Sequence, residues 1–210
     1  MNSIITIGRQ FGSGGREIGQ RVAANFGVKC YDKELLARAA KDSGLCQEVF
    51  ENHDEMPTSS FLYNLVMDTY SFGYNSSAYV DMPVSHKVFL AQFDTIKKLA
   101  DEGPCIIVGR CADYALSDRK DVIDLFICGD MDVRIKRIME KYQLNEQQAK
   151  DMIIKKDKQR KSYYDYYSSK KWGHVDTYDL SINSSTLGIE GTVNLINQYV
   201  SDVEKARENR

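Results

Sequence analysis

No CxxC pair, no HxxxH spacing, no apolar run long enough to cross a membrane and no internal repeat occur in these 210 residues. Each absence closes a class. The five cysteines, at 30, 46, 105, 111 and 128, and the three histidines, His53, His86 and His174, are scattered, which argues against a regularly spaced zinc site. Cys30, Cys105 and Cys128 fall in or beside apolar runs, where cysteine behaves as a small hydrophobe; reduced structural thiols and a cytoplasmic location are expected. The formal net charge is only −2, so no overall field draws the chain to nucleic acid or membrane, and small molecules are the expected partners. The amino terminus lacks a signal-peptide pattern: Ile4, Ile5 and Ile7 form a strand-length run that enters a glycine cluster.

What is present alternates. Apolar, β-branched runs at 3–8, 28–31, 105–109, 122–128 and 179–183 read as strands covered on both faces. Helical stretches at 15–26, 33–43, about 84–102, 131–141, 146–167 and 189–204 fill the gaps, which implies a parallel sheet between helical layers. Pro83 suits a helix's first turn and Gly103 its exit, while Asn145 with Gln148 forms a capping-box pattern before 146–167. Residues 44–83 break the alternation. They hold no clear strand, a helix is expected near 60–70, and the rest reads as an irregular inserted lobe near the carboxyl ends of the strands.

The stretch "GRQFGSGGRE" follows the first strand and opens the first helix, the layout of a phosphate-binding loop. Aligned on GxxxxGK[ST], Gly14 is the last glycine. Arg9 then stands at the first glycine, Gly15 at the lysine and Arg16 at the hydroxyl. Gly12, Ser13, Gly14 and Gly15 would wrap the phosphates, with Arg9 or Arg16 supplying the missing lysine's charge, because guanidinium pairs well with phosphate.

Further marks accumulate downstream. Asp32 closes the second strand, Gly109-Arg110 closes the third, and Arg134 and Arg137 lie three apart on one helix. "KKDKQRKSYYDYYSSKKWG" is basic and tyrosine-rich, and "YDLSINSSTLGIEG" gives a last strand and a hydroxyl-rich turn. In this order the segments resemble the cytidylate kinase family, and most closely its divergent branch whose loop reads RQ-aromatic-GSGGR. The likeness spans about residues 3–40 and 104–200.

The resemblance implies a three-layer α/β P-loop kinase fold with a five-stranded parallel sheet in a single domain, 1–210, with 44–83 an acceptor-side lobe and about 145–174 a lid. It implies transfer of the γ-phosphoryl group of ATP, with Mg2+, to a nucleoside monophosphate such as CMP or dCMP. Carried over by position, Arg9 to Arg16 hold ATP. Asp32, Arg38, Arg110 and Asp113 face the acceptor, and Arg16, Arg110, Arg134 and Arg160 stabilise charge in transfer. Ser13 and Asp32 are the candidates for magnesium. Two patterns depart from the family: GRDxG becomes Gly109-Arg110-Cys111-Ala112-Asp113, and the lid's RDxxDxxR keeps Asp157 but places Arg160 and Tyr163 at its last two marks. A non-catalytic nucleotide-binding protein, and a kinase of a non-nucleotide acceptor, remain the alternatives.

Overall fold

The computed structural model describes residues 1–44, 46–55 and 83–209. Five parallel strands, β1 (Ile4–Arg9), β2 (Lys29–Tyr31), β3 (Cys105–Val108), β4 (Val122–Cys128) and β5 (Leu180–Asn183), make one sheet in the order β2-β3-β1-β4-β5. β1 is central: Ile5–Ile7 pair with Ile106–Val108 on one side, and Ile4–Arg9 with Val122–Ile127 on the other. β1 and β3 are neighbours whose following segments pack on opposite faces of the sheet, Ile18 and Val22 on one and Ala112 and Ala115 on the other, which opens a crevice at the carboxyl ends of these two strands.

The described helices are α1 (Gly15–Phe26), α2 (Lys33–Ser43), α3 (Gln47–His53), α4 (Val84–Asp101), α5 (Ala112–Ala115), α6 (Met131–Tyr142), α7 (Glu146–Tyr167) and α8 (Ser184–Glu208). Strand side chains alternate between two cores. Ile5, Ile7, Val108 and Ile127 pack with Ile18 and Val22 of α1 and Ile196 of α8. Ile4, Cys105 and Ile107 pack with Leu35 of α2, Ile96 and Leu99 of α4, and Ala112 of α5. This is the expected three-layer α/β arrangement; it buries β1 and β3 almost completely and most of β4, while the edge strands β2 and β5 stay partly exposed.

All five expected strands are present. Asn145 and Gln148 make the reciprocal capping box, at 2.9 and 3.1 Å. The last helix starts earlier than its pattern predicted, at Ser184, but Gly188 (φ 66°, ψ −178°) interrupts it, so the regular part does begin at 189. α3 was not anticipated. Phe50, 0% exposed, fastens it to Leu36, Ala39, Val88 and Ala91 of α2 and α4. The helix expected near 60–70 lies outside the described residues. The cysteines are all free: Cys105 and Cys111 are buried, Cys30 and Cys128 half-buried, and Cys46 alone is exposed. Burial pushes the Cys30 thiol up to about 12 and that of Cys105 to about 11.

Candidate active site

The turn between β1 and α1 carries the site. Gly14, at φ 81°, precedes α1 and no side chain caps the helix, so its first N–H groups are left for an anion. Ser184 Oγ donates to the Ser13 carbonyl at 2.7 Å, tying the turn to the hydroxyl-rich start of α8. Arg9 doubles back across the turn. A Cβ on Gly15 would lie 2.7 Å from the Arg9 Cβ, so the position that elsewhere carries lysine has no room for a side chain while Arg9 is present.

A second turn faces it at the end of β3. Gly109, Arg110 and Cys111 all have positive φ, at 80°, 56° and 56°. A Cβ on Gly109 would fall 1.9 Å from Arg9 Nη1, so Arg9 lies directly over this glycine. Arg110 is 4% exposed and nearly saturated. Its Nε and Nη2 donate to the two oxygens of Asp54 at 2.9 and 2.8 Å, and its Nη1 donates to Asp32 and to the Val108 carbonyl, both at 3.3 Å. Burial opposes the Arg110 charge, but Asp54, Glu55 and Asp32 raise its pKa above the usual arginine value.

Asp54 and Glu55 follow α3 and bring carboxylates into a cluster of cations. Glu55 accepts from Arg9 Nη1 at 2.6 Å and from Arg160 Nε at 3.0 Å. Burial alone would push its pKa up; Arg9, Arg160 and Arg110 outweigh that and hold it well below the usual carboxylate range. Asp32 spans Arg16, at 3.0 Å, and Arg110. Four guanidiniums therefore meet three carboxylates at one end of the sheet.

Helix α7 is docked over the turn. Asp157 accepts from the Phe11 N–H at 2.7 Å and from Arg134, whose Nε donates to the Phe11 carbonyl at 2.8 Å. Arg160 donates to the Arg9 carbonyl at 3.3 Å and lies over the Phe11 ring. The first half of the turn is thus held from outside by α6 and α7, and its second half is left to bind.

This order of strand, glycine turn, helix and arginines coincides with a family match. The sequence fits the Cytidylate kinase-like family over residues 4–186. The chain belongs to that family. A cytidylate kinase of Staphylothermus marinus is 27% identical over 100 residues, a stretch that spans 47% of this chain and 55% of that enzyme. A crystal structure of an uncharacterized protein from Eubacterium ventriosum is 31% identical, with a TM-score of 0.71, covering 95% of this chain and 98% of that one. Shikimate kinase from Bacteroides thetaiotaomicron, 13% identical with a TM-score of 0.53 over 95% of this chain and 98% of that one, shares the fold. The resemblance and the P-loop kinase fold read from the sequence are borne out.

Within this cytidylate kinase-like fold the expected residues part company. Arg9, Gly12, Gly14, Gly15, Arg16, Asp32, Arg110 and Arg160 line one cleft of about 790 Å³, which Arg137 also borders. Ser13, Arg38, Asp113 and Arg134 do not line it. Ser13 is 3% exposed and its hydroxyl donates to the Gln10 carbonyl at 2.9 Å. Arg38 faces outward to Glu102 and Asp42. Asp113 is buried, accepts from Tyr164 and lies 3.6 Å from Lys170. Arg134 is 3% exposed and braces the turn from behind. Asp54 and Glu55 were missed. Their one available signal was the crowding of arginines itself: guanidiniums gathered in one cleft require anions.

Proposed function

We propose that this chain is an ATP-dependent kinase that phosphorylates a small acceptor, most simply a nucleoside monophosphate such as CMP or dCMP. One observation carries the reading. Arginines from β1, α1, the end of β3 and α7 converge on a single cleft beside an uncapped helix N-terminus, a surface suited to a polyphosphate.

Phosphoryl transfer needs positioning and charge stabilisation more than covalent chemistry. The open N–H groups of α1 bind the nucleotide's phosphates. Arg16, with a side chain 41% exposed, approaches from the helix, and Arg9 and Arg160 line the same cleft from β1 and α7. Arg110 is committed to Asp32 and Asp54, so in this reading it orders the acceptor side and does not grip a phosphate itself. Family membership implies magnesium, which when bound would neutralise charge on the outer phosphates. The Ser13 hydroxyl is turned inward and fits that ion poorly. Asp32 borders the cleft, and no cluster of three metal-binding side chains occurs among the described residues. Of the two residues expected to serve magnesium, Asp32 is therefore the one that would hold it, by offering a carboxylate oxygen at the edge of the cleft.

The test is ADP release from ATP and magnesium across ribo- and deoxyribonucleoside monophosphates. Acceptor-dependent turnover is expected, falling roughly 100-fold or more in Arg160→Ala, the scale for losing one charge-stabilising donor. The missing lysine favours a second reading, a non-catalytic nucleotide-binding protein. Calorimetry showing ATP binding with no turnover on any acceptor would decide for it.

A further inference from the structure

Two guanidiniums reach the transfer region from separate elements: Arg9 ends β1, and Arg160 lies in the second half of α7. Alone they would repel, and each would lose much rotamer freedom on being fixed. Glu55 lies between them, its Oε1 on Arg9 and its Oε2 on Arg160. The residue is 9% exposed, and a Cβ on Gly109 would come 2.7 Å from Oε1, so the glycine makes the space it fills. Glu55 is held at φ 54°, a backbone state that non-glycine residues seldom adopt and that gathers at working sites. The carboxylate takes one nitrogen of each guanidinium. Among the described residues, Nη2 of Arg9 and Nη2 of Arg160 have no partner.

We propose that Glu55 is a positioning residue for phosphoryl transfer: it holds Arg9 and Arg160 side by side so that their remaining N–H groups face the phosphoryl group. The chemistry rests on the kinase reading; the geometry does not. Both Glu55 oxygens are engaged, so it acts through the two arginines and not as a base.

A double-mutant cycle on the full chain tests this, read first by the ADP-release assay. Glu55→Gln is expected to lower kcat roughly 100-fold, the scale set by small misplacements of working groups, with KM for ATP changed less than about 3-fold. In an Arg160→Ala background the same change should cost under about 3-fold, because one of the groups it positions is gone. Equal losses in both backgrounds overturn the proposal, since a residue that only supports the fold acts alike in each. Glu55→Asp guards against loss of folding. It keeps the charge but is too short to reach both arginines, so it should still melt cooperatively as a folded protein while activity falls only where Arg160 is present.

A chain inactive on every acceptor would defeat the kinase reading and leave the positioning claim to a second readout, calorimetric titration with inorganic tripolyphosphate. Weaker binding in Glu55→Gln, with the difference gone in Arg160→Ala, upholds the positioning role. Tighter binding in Glu55→Gln overturns it, because the carboxylate would then be competing with phosphate.

Discussion

Arg9 and Gly15 divide one small volume between them, and this explains the unusual loop better than the loss of a lysine does. The Arg9 side chain lies over Gly15 and Gly109, and a Cβ on either would collide with it. Gly15→Lys, which restores the familiar loop, is therefore expected to harm the protein. Overpacking of this kind costs about 1–3 kcal/mol, and ATP affinity should drop with the displaced Arg9; thermal melts and calorimetric titration check both. From the sequence the missing lysine and the spare arginines were plain. That Arg9 itself forbids the lysine was not, because the contact exists only once the turn brings residues 9 and 15 together. The role of Arg110 was hidden for a similar reason: its partner Asp54 lies 56 positions away.

Helix α7 shows how an element can be legible in extent and opaque in use. Its cap, length and tyrosine run all came from local pattern, and its bounds agree with the structure. Tyr163, Tyr164 and Tyr167 are all buried, and Tyr167 stacks on Phe89 of α4 with ring centroids 3.9 Å apart. The two ends of α7 should therefore respond differently. Tyr167→Ala is expected to cost about 3–5 kcal/mol in urea unfolding, as for other large aromatic truncations. Asn145→Ala removes an exposed cap and should cost only about 1 kcal/mol with activity retained. α3 is the opposite case. Seven residues with Val49 and Phe50 as its aliphatic and aromatic anchors give no periodic signal, and only packing under α2 and α4 makes them a helix.

Across the whole molecule, a half-buried carboxylate, Asp124, and a buried one, Glu55, tilt stability with pH in opposite directions. Burial raises Asp124 to about 6, against the ordinary 3.8, although Thr6 and Lys170 pull it down. The folded state thus binds the Asp124 proton more tightly than the unfolded chain. Its contribution is full below about 4 and is lost as pH rises through 6. Glu55, held low by its arginines, contributes above the ordinary 4.5 and fails as acid protonates it. Asp124→Asn should remove the first slope, so its stability relative to the parent should rise by roughly 2–3 kcal/mol between pH 4 and pH 8 in urea titrations. The sheet that places these groups was readable from five β-branched runs. The charge pattern was not, since Glu55 meets partners 46 and 105 positions away. The thiol pattern also offers an experimental handle. Cys46 is the one exposed cysteine, and it stands at the start of α3, the helix that leads to Asp54 and Glu55. A maleimide dye should attach there selectively without engineering, giving a single-site optical reporter of whether the acid pair shifts when polyphosphate arrives.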